Sequence, residues 1–216
     1  DAGGEGDGDK KGPLDPIAPA MPLSTLPNGA LAWFRKEARH LLLLGEGYFE
    51  FAKALALLGS PAFAASSDEC DVPEPDLLHG QSYLASVDAT RIHRNPTVQG
   101  FVKGGSVRSC AWNFPFTGAE EDEIAHEKLL MGAFYSVAVL FAPVRHKQQV
   151  LFGLGLQGDQ LSRWSVLRSA KRAGWELVAW DHFDVQQFPG YEPRRANGEI
   201  FPINKERFYV FRLMVL

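Results

Sequence analysis

The pattern of apolar and polar positions predicts short buried strands that alternate with helices. Short apolar runs bounded by Gly, Pro or polar residues predict strands, at residues 40–44, 62–66, 82–90, 105–115, 148–156, 175–183 and 206–216. Apolar residues at helical spacing after the first strand (Phe49, Ala52, Leu55) predict a helix, and so do residues 121–140 and 162–174. The run 40–44 has no polar alternation, which is typical of a strand buried on both faces.

Strands that alternate with helices predict an α/β fold with a doubly wound, mostly parallel sheet covered on both faces. The last two predicted strands have no clear helix between them, which predicts a C-terminal antiparallel strand. This arrangement is typical of the Rossmann-like sheet of class I methyltransferases. Residues 1–32 are rich in Gly, Asp and Pro, so we expect a flexible arm followed by one domain, 33–216.

Composition limits the class of protein only loosely. The 216 residues include 45% hydrophobic and 22% charged positions, with two cysteines and a net charge of −4. Two cysteines cannot form a disulfide framework, so we expect a reducing or mitochondrial compartment. The apolar run 41–44 falls far short of the ~20 residues of a membrane span. Residues 139–216 hold eleven Lys/Arg against seven Asp/Glu, which fits either a solvated surface or an RNA-facing side.

Ligands of such sheets bind outside the carboxyl ends of the strands, so residues that follow the strands are the site candidates. Gly45-Glu46-Gly47 follows the first strand. Gly45 permits a sharp turn, and Gly47 lets a ligand approach bare backbone. The amides at the start of the next helix favour a carboxylate or phosphate. Glu50 stands where the third glycine of a dinucleotide fingerprint would fall, which argues against an NAD reductase.

Polar residues also follow the next three predicted strands. Asp68 lies about twenty residues beyond the glycine turn, where an acid binds ribose hydroxyls, although it is also compatible with a solvated acidic loop. Asp88 is placed to meet an adenine amino group or to cap a turn with Thr90. Asn113 and the aromatic residue after it leave a buried strand, which is costly unless they pack or bind. An Asn-aromatic-Pro segment favours methyl transfer to a planar nitrogen base held by the Asn and stacked on aromatics.

Five segments together resemble one eukaryotic family, the ribosomal-RNA uridine-N3 methyltransferases. They are "LLLLGEGYFEFAKALA", "SVDATRI", "AWNFPFTG", "EKLLMGAFYSVAVLF" and "FPGYEPRR", and their order and spacing match over residues 39–212. The resemblance implies a Rossmann-like fold, S-adenosylmethionine as cofactor and a uridine of large-subunit ribosomal RNA as substrate. It also implies ribosomal RNA, with ribosomal or assembly proteins, as partners, and a nucleolar or cytoplasmic location.

The resemblance assigns roles by position. The cofactor-binding candidates are Gly45, Glu46, Gly47, Tyr48, Phe49, Asp68 and Asp88. The target-base or catalytic candidates are Asn113, Phe114, Pro115 and Phe116. The RNA-binding candidates are Arg194, Arg195, Arg91 and Arg94, and the first two are preferred because the resemblance places their loop near the site. No membrane contact is expected, and no metal, because the histidines lack ligand spacing.

Departures from the family pattern concentrate on the substrate side. Phe116 replaces a His and cannot accept a proton, Glu50 replaces a Ser, and Tyr48 stands where Asp or Asn is common. The segment "GLGLQGDQLSRW" lacks the family's Lys and Pro-Tyr. Either the substrate has shifted or catalysis has been lost. The alternative is therefore a catalytically inactive structural or assembly component of a ribosomal particle, with a mitochondrial location. The Pro-rich arm and two expected surface aromatics, Trp33 and Trp180, fit this alternative.

Overall fold

The computed structural model describes residues 24–66, 82–194, 200 and 205–215. Within these ranges the chain forms one sheet of eight strands with helices on both faces. The strands are β1 (Ser24–Thr25), β2 (Leu41–Leu44), β3 (Phe63–Ala65), β4 (Tyr83–Leu84), β5 (Ser109–Asn113), β6 (Leu151–Gln157), β7 (Trp175–His182) and β8 (Glu206–Leu213). The helices are α1 (Gly29–Glu37), α2 (Glu50–Leu57), α3 (Pro96–Lys103), α4 (Glu123–Phe141), α5 (Gln160–Arg163) and α6 (Val166–Arg172).

The sheet has the order β1-β7-β8-β6-β5-β2-β3-β4. Strands β2 to β6 pair in parallel, whereas β8 runs antiparallel to both of its neighbours, β6 and β7. This confirms the predicted doubly wound, mostly parallel sheet with an antiparallel C-terminal strand. The last two strands, β7 and β8, pair as an antiparallel hairpin, and β8 also pairs with β6 on its other side.

The four leucines of β2 show why this strand has no polar alternation. Successive side chains of a strand point to opposite faces of the sheet. Leu42 and Leu44 pack into the core beside α3, α4 and α6. Leu41 and Leu43 pack into the core beside α1 and α2. Both faces are covered by helices, so every position of the strand is apolar and buried.

The helix predicted over 121–140 is α4, whose N-terminus is capped by Asp122 through a 2.9 Å hydrogen bond from the amide of Ala125. By length and composition alone α4 could cross a membrane. In the fold it is a core helix, because Leu130, Phe134 and Val137 pack in the hydrophobic core.

Two predicted elements are shorter or divided. The helix predicted over 162–174 is split into α5 and α6 at Ser165, whose φ of 49° is left-handed. The strand predicted over 82–90 is only β4, because Asp88 begins a 3-10 turn over Ala89–Arg94.

The sheet begins before the boundary predicted at residue 33. Ser24 and Thr25 pair in parallel with Ala179 and Trp180 of β7, and α1 starts at Gly29. Residues 24–32 therefore lie in the folded domain, although their Pro and Gly content predicted a flexible arm. Residues 1–23 of the predicted arm lie outside the described residues. Trp33, expected at the surface, is 7% exposed, so that expectation is wrong.

Candidate functional site

A cleft opens at the carboxyl ends of β2 and β5, under the loop that follows β7. It spans about 460 Å³ of space, which includes open solvent at its mouth. Its walls come from the glycine turn, the start of α2, the end of β5 and the 191–194 segment. The lining residues are Gly45, Glu46, Gly47, Tyr48, Glu50, Phe51, Asn113, Phe114, Tyr191, Glu192, Pro193 and Arg194.

The two glycines of the turn differ in whether the fold has room for a side chain at their position. Gly45 has a φ of +64°, and a Cβ added there would stand 2.1 Å from the indole Nε1 of Trp112. A Cβ added at Gly47 would meet no atom within 4 Å. Gly45 is thus required by the turn and by Trp112, whereas Gly47 leaves open space at the cleft wall.

Glu46 is buried and caps α2 from the preceding turn. Its Oε2 accepts a 3.0 Å hydrogen bond from the amide of Ala52, and its side chain is also bonded by the amide of Phe51. The expectation that these helical amides await a ligand's carboxylate or phosphate is therefore wrong, because the protein's own carboxyl group takes them.

Burial raises the pKa of Glu46 to about 8, and the charge of Glu50 adds to the effect against the two amide hydrogen bonds. Burial likewise raises the pKa of Tyr83 to about 12, with a further contribution from Glu46. The pKa of Tyr191 is raised well above its usual value for the same two reasons. The cleft wall therefore contains a carboxyl group that is largely protonated near neutral pH and that a neighbouring cation would ionise.

Asn113 ends β5 with an unsatisfied side chain. Among the described residues neither Oδ1 nor Nδ2 has a hydrogen-bond partner, although both atoms are buried. Phe114, the next residue, has a left-handed φ of 52°, and its amide donates to the carbonyl of Gly155 at 2.9 Å. Buried amide groups without partners cost free energy, and such strained or unsatisfied positions cluster at functional sites. Both atoms expose less than 1 Å², so a ligand with a planar polar edge would pair with them once the side chain turned toward the cleft.

The rest of the Asn-Phe-Pro-Phe segment leaves the cleft. Pro115 is buried and Phe116 packs 5.6 Å from the ring of His126, neither of them in the lining. His126 is itself buried, stacks on Trp164 at 3.9 Å, and bonds the carbonyl oxygen of Asp122 through Nδ1 at 2.8 Å. The substitution of the family's His by Phe116 thus extends an aromatic cluster.

The other cofactor candidates divide between the cleft and the core. Tyr48 lines the cleft and is 44% exposed. Phe49 is fully buried and packs edge-on against Tyr83 at 4.9 Å. Asp88 caps the following 3-10 turn, accepting from the amide and hydroxyl of Thr90 at 2.8 and 2.7 Å, and does not line the cleft. Asp68 lies outside the described residues.

Of the RNA-binding candidates, Arg194 alone is described as part of the cleft wall, and it pairs with Glu192 at 2.7 Å. Arg91 lies 3.8 Å from Asp88, and Arg94 is exposed. Neither of them lines the cleft. Arg195 lies outside the described residues. Within the described ranges no group of three or more His, Cys, Asp or Glu could hold a metal ion.

The cleft also contains residues that were not predicted as site residues. They are Glu50, Phe51, Tyr191, Glu192 and Pro193. The signal for Tyr191 was present in the "FPGYEPRR" segment, whose Pro-Gly-Tyr turn brings the tyrosine ring to 4.9 Å from Phe51.

Two sequence comparisons find a family and a relative that resemble this chain. The model of the family described as "BMT5-like: rRNA (uridine-N3-)-methyltransferase BTM5-like" matches residues 76–195. A curated relative, heavy metal-associated isoprenylated plant protein 41 of Arabidopsis thaliana, is 29% identical over 73% of this chain. The alignment covers 33% of that protein, so the chain spans about a third of the relative's length.

Solved structures share the fold at low sequence identity. An E. coli protein described as a DNA modification methyltransferase encoded within a prophage superposes with a TM-score of 0.50 at 14% identity, covering 79% of this chain and 45% of that one. The 16S rRNA (adenine(1408)-N(1))-methyltransferase of Catenulisporales acidiphilia gives a TM-score of 0.48 at 12% identity, covering 90% and 96%.

Proposed function

Since the chain belongs to the BMT5-like family, whose model covers residues 76–195, we propose that it is an S-adenosylmethionine-dependent methyltransferase acting on N3 of a uridine in ribosomal RNA. One observation carries the proposal: the orphaned amide of Asn113 stands in the same cleft as the open side of Gly47. A planar nucleobase edge and a neighbouring donor molecule would occupy these two features.

The residues present fit the implied cofactor. Sulfonium and ammonium groups are cationic, and the cleft offers carboxyl groups from Glu46, Glu50 and Glu192. S-adenosylmethionine, when bound, supplies the methyl group. Gly47 leaves room beside the backbone, and Glu46 supplies the counter-charge by losing its proton.

The chain's own residues would mainly orient the target base. Nδ2 of Asn113 would donate to a uracil carbonyl, which stabilises negative charge on the imide as the N3 proton leaves. The proton would pass to water in the open cleft, so the step does not need the family's His at the position of Phe116. Phe114, 5.4 Å from Phe183 in an edge-on contact, would offer its ring to the base. Orientation of this kind supplies much of an enzyme's rate.

The decisive experiment separates cofactor binding from transfer. We expect S-adenosylmethionine to bind the chain in a calorimetric titration, and Asn113→Ala to keep that affinity while losing transfer to ribosomal RNA. The matched control is Gln186→Ala, which removes an exposed amide outside the cleft. Transfer that persists in Asn113→Ala would contradict the assignment of the base pocket.

A non-catalytic role as a structural or assembly component of a ribosomal particle is the second candidate. The packing of Phe116 on His126, away from the cleft, favours it, because no proton acceptor remains at that position. Burial of Trp33 removes one of its supports. A folded chain that binds no S-adenosylmethionine would favour this candidate, and localisation to mitochondria would then be expected in place of the nucleolus or cytoplasm.

A further inference from the structure

The amino edge of the sheet, opposite the cleft, carries exposed cations from successive strand connections. The register aligns Leu41, Ser109, Leu151, Arg212 and Glu176 in one row across β2, β5, β6, β8 and β7. Exposed basic residues lie just before β2, β5, β6 and β7. They form what we call the amino-edge strip: Arg39, Arg108, Lys147, Lys171 and Arg172.

Backbone contacts hold these connections side by side. The amide of Arg108 donates to the carbonyl of His40 at 2.8 Å, next to Arg39. The amide of Met214 donates to the carbonyl of Gly174 at 2.9 Å, which ties the end of β8 to the segment that follows Arg172. Neighbouring strands lie ~4.8 Å apart, so the strip extends roughly 19 Å from β2 to β7.

The charge of the strip is not neutralised within the described chain. None of its five side chains forms an ion pair with another described residue. Two acids lie nearby: Glu176 pairs with Arg212, and Glu37, which accepts from the hydroxyl of Ser109 at 3.1 Å, leaves the five cations in excess. Segments 98–108, 142–150 and 166–175 contain no Asp or Glu at all.

Two cations on the cleft side differ in this respect. Arg194 pairs with Glu192 at 2.7 Å and Arg163 with Glu120 at 2.9 Å. Residues 120–123 at that edge read Glu-Glu-Asp-Glu. An anionic polymer that approached the cleft edge would meet a run of carboxylates, whereas at the amino edge it would meet more cations than acids.

We propose that the amino-edge strip is a docking surface for the sugar-phosphate backbone of folded RNA. The proposal rests on the proposed function, which makes RNA the substrate. Arg and Lys contacts to phosphates are independent of sequence and fix the position of a nucleic acid without reading it. Leu41 and Gly45 are about 13 Å apart at ~3.3 Å per residue, so the two edges are close enough for one folded RNA to contact both.

Cations at helix C-termini also stabilise helix dipoles, and Lys171 and Arg172 lie in the last turn of α6. If the two residues have only this structural role, their substitution should lower the melting temperature without changing RNA affinity. The test must therefore measure both quantities in the same variants.

The experiment compares two edge variants with one control of equal charge change. The edge variants are Arg108→Gln with Lys147→Gln, and Lys171→Gln with Arg172→Gln. The control is Lys128→Gln with Lys205→Gln, two exposed lysines away from the strip. The probe is a mixed-sequence duplex RNA, titrated against the 216-residue chain at several salt concentrations. We expect each edge variant to bind at least about tenfold more weakly at low salt, and its log–log salt slope to fall by about 2.

Three outcomes would overturn the proposal: a wild-type chain that does not bind the duplex, an equal loss in the control, or edge variants that melt at lower temperature yet keep wild-type RNA affinity. S-adenosylmethionine affinity is measured in parallel and should stay unchanged in all variants. A wild-type chain that does not bind S-adenosylmethionine contradicts the proposed methyltransferase. Edge variants that bind RNA as well as the control does contradict only the docking surface.

Discussion

The amide oxygen of Asn113 lies 3.0 Å from the place where a side chain at Gly155 would begin. These residues face each other across β5 and β6, where they are register partners. The glycine on β6 therefore makes room for the asparagine that ends β5. The polar group at the cleft floor is positioned by its neighbouring strand as well as by its own.

Gly155→Ala tests this relationship. The added methyl would press on Oδ1 and, at 3.2 Å, on the Cα of Asn113. Overpacking of this kind costs about 1–3 kcal/mol, so we expect that loss in the free energy of unfolding from urea titration. We also expect reduced methyl transfer.

A matched control for Gly155→Ala is Gly100→Ala within α3, where an added Cβ meets no atom within 4 Å. It should stabilise the chain by about 0.4–1 kcal/mol. Equal effects at the two sites would contradict the tight fit between Gly155 and Asn113.

Gly45 and Gly47 should respond differently to alanine. Gly45→Ala places a methyl group 2.1 Å from Trp112 at a φ of +64°, so we expect a loss of more than about 2 kcal/mol in unfolding free energy. Gly47→Ala meets open space and should leave stability nearly unchanged. Under the proposed function it should weaken S-adenosylmethionine binding, measured by calorimetry. A Gly47→Ala protein with unchanged affinity would remove this glycine from the cofactor site.

Glu46 should make stability fall as pH rises. Its pKa is about 8 in the fold against an ordinary value of 4.5. Between these values the folded chain holds a proton that the unfolded chain has released, so the free energy of unfolding decreases with pH across this window. Glu46→Gln should flatten this part of the profile, as followed by melting temperature from pH 5 to pH 8. Parallel profiles for the wild type and Glu46→Gln would show that the carboxyl group is not protonated in the fold.

Cofactor binding should be linked to the same proton. A cation placed beside Glu46 favours the carboxylate, so binding should release a proton below about pH 8, the pKa of the free chain. Affinity for S-adenosylmethionine should therefore increase with pH up to that value and then level off. Calorimetry in buffers of different ionisation enthalpy measures the proton directly. The Glu46→Gln variant serves as the control, since it has no proton to lose there.

Asp88 offers a test between a cap and a ligand contact. Its carboxylate accepts from both the amide and the hydroxyl of Thr90. Asp88→Ala should therefore cost about 1 kcal/mol, the usual value of a lost N-terminal cap, as measured by urea denaturation. A variant of unchanged stability that loses cofactor affinity would instead support the predicted adenine contact.

The sequence by itself determined seven of the eight strands, the helices α2 and α4 and their order, but not β1, α1 or α3. The uniform leucines of β2 and the long apolar pattern of α4 were readable because periodicity depends on which faces are buried. Residues 24–32 were predicted as part of a flexible arm, because a segment rich in Pro and Gly is also typical of an unfolded chain. The start of α3 has a capping signal in the sequence, Asn95 followed by Pro96, which would have predicted this helix.

The tertiary structure alone decided which predicted residues share the cleft. Local sequence placed Glu46, Asn113 and Phe116 after strands, but only the sheet register and the packing of α2 and α4 fixed where each side chain points. Glu46 turns into the start of α2, Phe116 packs against His126, and Tyr191 arrives from a distant loop. A pattern along the chain reports burial of each residue, whereas these outcomes depend on contacts between separate elements of the fold.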